Sequence, residues 1–376
     1  MPLHVDYFKH TLDFRFPAGT SRGVLTYHDA YFLKVTANEQ DTGRSDEPGT
    51  QSSEVFGLGE ASPLPGLSVD YPDFEANLQK VCSLFNKLDL EVFSWNLNLL
   101  VDQLVDKRLP CLRFGLETAL LDLLNGGRRV VFDNDFTRGN RQLAINGLVW
   151  MGDRAAMLRQ VEEKLAAGYT TLKMKVGAID FDEECRLIES IRNRFSPERV
   201  ALRIDANGAW SPDDAPRKLR ELSRFGLHSI EQPIQARQPE AMSELCRTSP
   251  IPVALDEELV GLNDYVEKFR LVKQLAPAYL ILKPTLLGGF YSCREWIEIA
   301  NRLQCKWWLT SALESNVGLS AIGQFAAEFN NPLPQGLGTG QLYHNNIPAP
   351  LRVEGGQLRY QLTQPWDLSR VEAGFA

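Results

Sequence analysis

Charged side chains stand at the ends of five short apolar segments of this 376-residue chain. A charge at the end of a buried strand is costly unless it is paired or bound to a metal ion. A single case has ordinary explanations, because an acid can cap the next helix and a lysine can extend to the rim. The residues are Lys173 and Lys175 in TLKMK, Asp205 in LRIDAN, Glu231 in SIEQP, Asp256 in ALDEE and Lys283 in ILKP. Because the pattern recurs in successive segments, we interpret them as one site.

The three carboxylates, Asp205, Glu231 and Asp256, predict a metal site. No histidine or cysteine accompanies them in these segments, so the ligand set consists of oxygen atoms alone. Such a set suits a hard cation that completes its coordination with water and substrate oxygens. The sequence therefore predicts Mg²⁺, with Mn²⁺ as a substitute.

The lysines predict proton transfer beside that metal. Lys173 and Lys175 are two residues apart on a strand, so both point to the same side. Neighbouring ammonium groups lower one another's pKa, and one of them can then act as a neutral base. Lys283 should approach from another side, as the second member of an acid/base pair or as a cation. The predicted reaction is proton abstraction alpha to a carboxylate, with racemisation, cycloisomerisation or elimination left open.

The elements that carry these residues alternate between strand and helix. From residue 145, a short buried strand followed by a helix repeats seven times, with a period of about 25 to 30 residues, the length of one βα unit. Strands this apolar indicate a parallel sheet covered by helices. Seven such units over about 190 residues favour a closed TIM barrel, whose active site lies where the strands end, with a doubly wound open sheet as the alternative. Neither GxGxxG nor GxxxxGK[ST] follows the first strand, so the usual nucleotide-binding motifs of open sheets are missing.

The regions flanking the barrel differ from it. Residues 1–125 combine strand-like runs with two helical stretches, which predicts an α+β domain. Within it, the polar residues 38–53 indicate an exposed hairpin tip. After Asn331 the chain is rich in proline and glycine, which indicates irregular structure with one hairpin. We predict a barrel over 140–335 and a first domain over 1–125 that is completed by 340–376.

Composition narrows the partners. The formal net charge is −8 and no Lys/Arg stripe is present, so nucleic acid is not expected as a partner. The six cysteines show no CxxC and are interpreted as reduced thiols. Neither a signal peptide nor an apolar run long enough for a membrane helix is found, which predicts a cytoplasmic protein. A small-molecule substrate is expected, and the choice between monomer and homo-oligomer stays open.

The charged residues also resemble a known family pattern. The Lys173/Lys175 pair, the three carboxylates and the opposing Lys283 are similar to the muconate-lactonising subgroup of the enolase superfamily. The resemblance covers nearly the whole chain. It implies a modified TIM barrel, (β/α)7β, with an α+β capping domain, Mg²⁺ in the site, Lys175 as general base and Lys173 as its electrostatic neighbour.

Several stretches resemble the o-succinylbenzoate synthase family within that subgroup. They are TSRGVL, GLGEASPLPGLS, RFGLETALLDLLNGG, INGLVWMG, ILKPTLLGG and TSALESNVGLSA. The resemblance implies dehydration of a cyclohexadiene dicarboxylate in menaquinone or phylloquinone synthesis. Lys175 would take the alpha proton and then help the hydroxyl leave, while Lys283 would hold the developing negative charge. Asn207 and Glu257 match family positions around the metal.

Weaker motifs predict the rest of the substrate site. Arg22 lies in a turn-rich segment that is either an ordinary hairpin or a lid over the substrate. Ser311, Glu314 and Ser315 follow the seventh strand, where hydroxyls and backbone N–H groups either bind a second substrate carboxylate or cap a helix. Gly288 either lets backbone approach the substrate or simply makes a turn.

Two alternative functions are considered. A racemase or epimerase on this scaffold would use Lys175 and Lys283 as two bases, so the lysines alone do not decide. TSALESN lacks the Asp-x-Asp with which dipeptide epimerases hold an ammonium group, whereas an N-succinylamino acid racemase stays open. A noncatalytic binding protein would be expected to have lost some of the charged strand ends, and none is lost.

Overall fold

Three antiparallel strands form the sheet of the first region in this computed structural model, which describes residues 3–20, 23–37, 55–88 and 96–375. They pair in the order β1-β2-β3. Their bounds are Leu3–Thr20 for β1, Gly23–Ala37 for β2 and Phe56–Ala61 for β3. The predicted hairpin tip at 38–53 lies outside the described residues.

Three helices cover this sheet: α1 (Phe74–Phe85), α2 (Leu97–Leu104) and α3 (Pro110–Leu124). Helix α3 packs so closely on β3 that glycine is required there. A Cβ atom added at Gly59 would lie 1.9 Å from the carbonyl oxygen of Gly115. The glycines of the GLGE motif therefore allow α3 to pack directly on β3. This packing fixes the position of the loop that follows β3, which lies over the barrel.

Seven parallel strands build the barrel, in the order β11-β10-β9-β8-β7-β6-β5. The short strand β4 (Leu143–Ala144) precedes them. The strands are β5 (Gly147–Val149), β6 (Thr171–Lys175), β7 (Ala201–Asp205), β8 (Ser229–Glu231), β9 (Val253–Leu255), β10 (Tyr279–Leu282) and β11 (Lys306–Leu309). The helices between and after them are α4 (Arg154–Ala166), α5 (Phe181–Arg192), α6 (Ala215–Ser223), α7 (Pro239–Thr248), α8 (Tyr265–Leu275), α9 (Pro284–Leu287), α10 (Gly289–Arg302) and α11 (Asn316–Ala327). All seven strands predicted from the sequence are confirmed.

A two-residue segment closes the barrel. Gly336 bridges Thr310 beyond the end of β11, and Gln335 bridges Ile145 just before β5, both in parallel. Gly336 is needed because a Cβ atom there would lie 2.5 Å from the Thr310 hydroxyl oxygen. The interpretation of the chain after Asn331 as merely irregular is therefore wrong at this point, since backbone hydrogen bonds from both sides make 335–336 the eighth strand position.

The last segment forms the predicted hairpin and a helix. Strands β12 (Leu351–Glu354) and β13 (Gln357–Tyr360) pair with each other, and β13 also pairs with β4. Helix α12 (Ser369–Phe375) ends against β1, where the rings of Phe375 and Phe8 lie 4.8 Å apart. The domain boundaries at 125, 140, 335 and 340 stay a prediction.

The chain thus forms a modified (β/α)7β barrel with an α+β capping domain, as predicted. All six cysteines are free thiols. Within the described ranges, no helix has the length and apolar character needed to cross a membrane.

Candidate active site

Strand register brings the predicted site residues together. Lys175 on β6 pairs with Asp205 on β7, which in turn pairs with Glu231 on β8. Asp256 and Lys283 come directly after β9 and β10. Because these strands are parallel neighbours, their charged ends meet at one face of the barrel.

The two lysines of β6 contact the carboxylates of the next two strands. Lys173 Nζ lies 2.6 Å from Glu231 Oε1 and 2.9 Å from Asp205 Oδ2. Lys175 Nζ lies 3.0 Å from Asp205 Oδ2 and donates to Asn207 Oδ1 at 2.5 Å. Asp205 therefore joins the two ammonium groups, which point to the barrel interior as predicted.

Further contacts continue the cluster around the barrel. Lys283 Nζ donates to Asp256 Oδ2 at 2.5 Å. Asn207, in a left-handed conformation with φ of 43°, donates from Nδ2 to Glu257 Oε1 at 3.0 Å. Asn207 thus links Lys175 to Glu257, and both residues matched to the family pattern lie beside the charged cluster.

Burial and neighbouring charges shift the pKa values in this cluster. Burial lowers the pKa of Lys173, but the nearby carboxylates, Asp205 first, outweigh burial and raise it. Burial raises the pKa of Asp205, but Lys173 and Lys175 hold it well below its usual range. Burial and the charge of Asp205 together raise the pKa of Glu231. The lowered pKa expected for one of the paired lysines is therefore not found at Lys173, because carboxylates surround it.

The donor chemistry fits a metal ion, although the carboxylates now contact lysines. Asp205, Glu231 and Asp256 are all at most 2% exposed, and Glu231 Oε2 has no hydrogen-bond partner among the described residues. In the same part of the chain, no group of three or more acidic, histidine or cysteine side chains is arranged to hold a metal as it stands. The ion pairs explain this, since Lys173, Lys175 and Lys283 take up carboxylate oxygens. An unpartnered buried oxygen next to an all-oxygen set is what a hard cation would satisfy.

A cavity of about 410 Å³ opens above the charged cluster. Five parts of the chain form its wall away from the charged strand ends: Leu25 on β2, the loop after β3, the residues in and beside β5, the segment after β11, and the segment around the closing strand. The lining residues are Leu25, Leu64, Pro65, Gly66, Leu67, Asn146, Leu148, Trp150, Lys173, Lys175, Asn207, Glu257, Lys283, Thr310, Ser311, Ala312, Leu313, Gly336, Gly338 and Thr339. Glu257 is the one carboxylate among these residues, so the described part of the wall facing the lysines is neutral.

The residues predicted for the rest of the substrate site divide between the two interpretations given for them. Ser311 lines the cavity. Ser315 does not line it, because its hydroxyl caps α11, accepting from Val317 N and donating to Glu60 Oε2. Gly288 also lies elsewhere, at the left-handed turn (φ 91°) between α9 and α10. Arg22 lies outside the described residues, so the lid stays a prediction.

Sequence reasoning missed most of the neutral wall. Leu67, Trp150 and Thr339 line the cavity but carry no charge that could mark them as functional. The available signals were the INGLVWMG stretch and the GLGTG run, whose glycines allow the closing segment to approach β11. Both signals were weaker than a charge at a strand end.

Comparisons with known proteins agree with the fold and the site. The family model "Enolase C-terminal domain-like" matches residues 156–364. The o-succinylbenzoate synthase of Desulfotalea psychrophila is 42% identical over 95% of this chain and 98% of its own length. The crystal structure of MenC from the same organism superposes with a TM-score of 0.83 at 41% identity, covering 96% of this chain and 100% of that chain. The L-Ala-D/L-Glu epimerase of Bacillus subtilis shares the fold, with a TM-score of 0.80, 19% identity, and coverage of 98% and 97%.

This chain belongs to the enolase superfamily, whose members are metal-dependent barrel enzymes. Within the superfamily it belongs to the o-succinylbenzoate synthases, which are lyases, and the resemblance found in the sequence is confirmed.

Proposed function

We propose that this protein converts 2-succinyl-6-hydroxy-2,4-cyclohexadiene-1-carboxylate to o-succinylbenzoate with Mg²⁺, in menaquinone or phylloquinone synthesis. The reaction class rests on the position of two lysines across the barrel from each other, and the choice of substrate rests on the 42% identity to the o-succinylbenzoate synthase of Desulfotalea psychrophila. Lys175 ends β6 and Lys283 follows β10, four positions away in a ring of eight. A substrate lying between them can lose a proton to one lysine while the other stabilises charge.

Lys175 is the proposed general base. Lys173 is the more deeply buried of the pair and is held by two carboxylates, which favour its charged form. Among the described residues, Lys175 contacts one carboxylate; it lines the cavity and is oriented by Asn207. Its amine would take the alpha proton, the C–H electrons would form the ring double bond, and the C–O bond to the hydroxyl would break. The proton then leaves Lys175 with that hydroxyl as water.

Asp205, Glu231 and Asp256 are the proposed metal ligands. When bound, Mg²⁺ supplies positive charge beside the substrate carboxylate next to the reacting carbon. Lys283 would add a second positive charge from across the barrel, where its ammonium group contacts Asp256. The lysine is therefore proposed as a cation rather than as an acid.

The neutral wall disfavours a dipeptide that carries an ammonium group. An epimerase acting on dipeptides must accommodate an ammonium group, and a buried cation requires a partner of opposite charge. The described cavity wall away from the lysines provides none. An N-succinylamino acid has an uncharged amide at that position, so the neutral wall does not argue against it. An experiment is therefore needed to distinguish a racemase of such substrates from the proposed synthase.

The deciding experiment is a pair of assays on the purified protein in D₂O with Mg²⁺. One contains the cyclohexadiene precursor, and the other contains each enantiomer of an N-succinylamino acid. We expect rapid formation of the aromatic product in the first. Absence of product there, with alpha-proton exchange and racemisation in the second, would contradict the proposal and favour the racemase.

A further inference from the structure

A buried carboxylate lies directly behind the neutral cavity wall. Glu314 follows β11 and is 0% exposed. Its Oε2 accepts from Ser311 Oγ at 2.6 Å and from the backbone N–H of Ala312 at 2.8 Å. Both Ser311 and Ala312 line the cavity, whereas Glu314 itself does not. Glu314 therefore holds the wall from outside and does not reach the substrate.

The Ser311 hydroxyl has no hydrogen-bonding capacity left for a substrate. A carboxylate is an acceptor only, so the hydroxyl gives its single proton to Glu314. Its oxygen accepts from the backbone N–H of Leu313 at 3.2 Å and lies 2.7 Å from the Thr339 hydroxyl. A hydroxyl offers one donor and two acceptor positions, and these contacts use all three. Ser311 is thus a link within the wall rather than a ligand.

The other oxygen of Glu314 connects the wall to residues 283–285 after β10, here called the Lys283 loop. Glu314 Oε1 accepts from the hydroxyl of Thr285, which is also 0% exposed. Thr285 stands two residues after Lys283, in the first turn of α9. One carboxylate therefore ties together the segment after β10, which carries the proposed cation, and the segment after β11, which forms the wall.

The segment that Glu314 holds is strained. Leu313 lines the cavity with φ of 69°, a left-handed conformation that non-glycine residues rarely adopt. Its backbone N–H donates to Ser311, and its carbonyl oxygen accepts from the Tyr343 hydroxyl at 2.6 Å. Such strain persists only where neighbouring contacts enforce it. Release of these contacts would let Leu313 leave the cavity wall.

We propose that Glu314 is a positioning residue for substrate binding: it locks the Ser311–Leu313 wall against the Lys283 loop. The proposal rests on the proposed function for its substrate, since the wall faces the part of the cyclohexadiene dicarboxylate away from the metal. It assigns Ser311 a positioning role and not the substrate contact predicted from the sequence.

Kinetics of Glu314 variants test this proposal at a temperature where all the proteins are folded. For Glu314→Ala we expect kcat/KM for the precursor to fall about 100-fold, mostly through KM, because a small displacement of positioning groups has effects of this size. Glu314→Gln should recover to within about threefold of wild type, because its carbonyl can accept from Ala312 N–H and its amide can donate to Thr285. An unchanged KM in Glu314→Ala, or no recovery in Glu314→Gln, would overturn the proposal.

Glu60→Gln provides the matched control. Glu60 is equally buried and also contacts the segment after β11, but its partners Ser62, Ser315 and Gly318 do not line the cavity. We expect a lower melting temperature with a nearly unchanged KM. An equal rise of KM in both variants would mean that loss of any buried carboxylate contact to the segment after β11 has this effect, which contradicts a specific role for Glu314.

A double-mutant cycle and hydrogen exchange complete the test. If Ser311 acts through Glu314, Ser311→Ala combined with Glu314→Ala should raise KM no more than Glu314→Ala alone, whereas additive effects would indicate a direct substrate contact.

Hydrogen exchange of the Ala312 and Leu313 amides should accelerate in Glu314→Ala. Unchanged exchange would contradict the claim that Glu314 holds this segment in place. This readout needs no substrate. Failure of the proposed function would instead appear as wild-type protein that forms no product.

Discussion

The two halves of the active-site cavity are built in different ways. The charged half comes from consecutive parallel strands, whose ends place lysines and carboxylates in register. The neutral half comes mainly from loops and strand ends that are distant in sequence: residues 64–67, 148–150, 311–313 and 336–339. Rigid strand ends suit reacting groups, while loops can vary with substrate shape. The comparison indicates that the reaction chemistry resides in the first half and substrate preference in the second.

Substitution of the proposed base, Lys175, should have the largest effect, because it removes the group that takes the proton. We expect Lys175→Ala to lower kcat by at least about 1000-fold, because a positioned general base contributes up to about 10⁴-fold. Steady-state turnover of the precursor measures this. Lys306→Ala, which removes an exposed lysine at the opposite end of the barrel, is the control. Near-normal turnover of Lys175→Ala would exclude this lysine as the base.

Substitution of Lys283 separates charge from proton transfer within the charged half. Lys283→Ala should lower kcat about 100-fold, since loss of one group that stabilises developing charge has effects of this size. Lys283→Arg keeps the charge and should stay within about tenfold of wild type. Parallel measurement of kcat for both variants is decisive, because an arginine variant as inactive as the alanine variant would indicate proton transfer by Lys283.

A charge placed on the neutral half should affect binding more than chemistry. Leu67 lines the cavity and is partly exposed, so Leu67→Asp and Leu67→Asn can be compared at equal size. We expect KM for the dicarboxylate to be about tenfold higher for the aspartate than for the asparagine, because like charges repel across the cavity. The two kcat values should agree closely. Equal KM values would show that this wall does not face the second carboxylate.

The smallest effect concerns stability of the capping sheet. Burial lowers the pKa of His28 on β2 to about 4, so below pH 6.5 the unfolded chain binds a proton that the folded chain does not. Stability contributed by neutral His28 should therefore be complete above pH 6.5 and decline as the pH falls toward 4, by on the order of 2 kcal/mol at pH 5. Melting temperatures at pH 7 and pH 5 should differ less for His28→Gln than for wild type. Identical differences would contradict this assignment.

The sequence predicted the charged half because each of its residues ends an apolar strand of recognisable length. Asp205 and Glu231 could be placed without knowledge of any contact, since parallel strands carry their ends to one face. The closing segment at 335–336 could not be recognised, because two residues held by bridges from both sides leave no hydrophobic pattern. Ser315 and Gly288 were assigned to substrate because helix caps and left-handed turns use the residue types that binding sites also use.

The central claim is that Asp205, Glu231 and Asp256 hold a divalent cation required for turnover by Lys175. The most direct test measures conversion of the cyclohexadiene precursor to o-succinylbenzoate by chelator-treated protein, before and after addition of Mg²⁺. The account predicts no product before addition and full turnover afterwards. Sustained turnover by metal-free protein would contradict it.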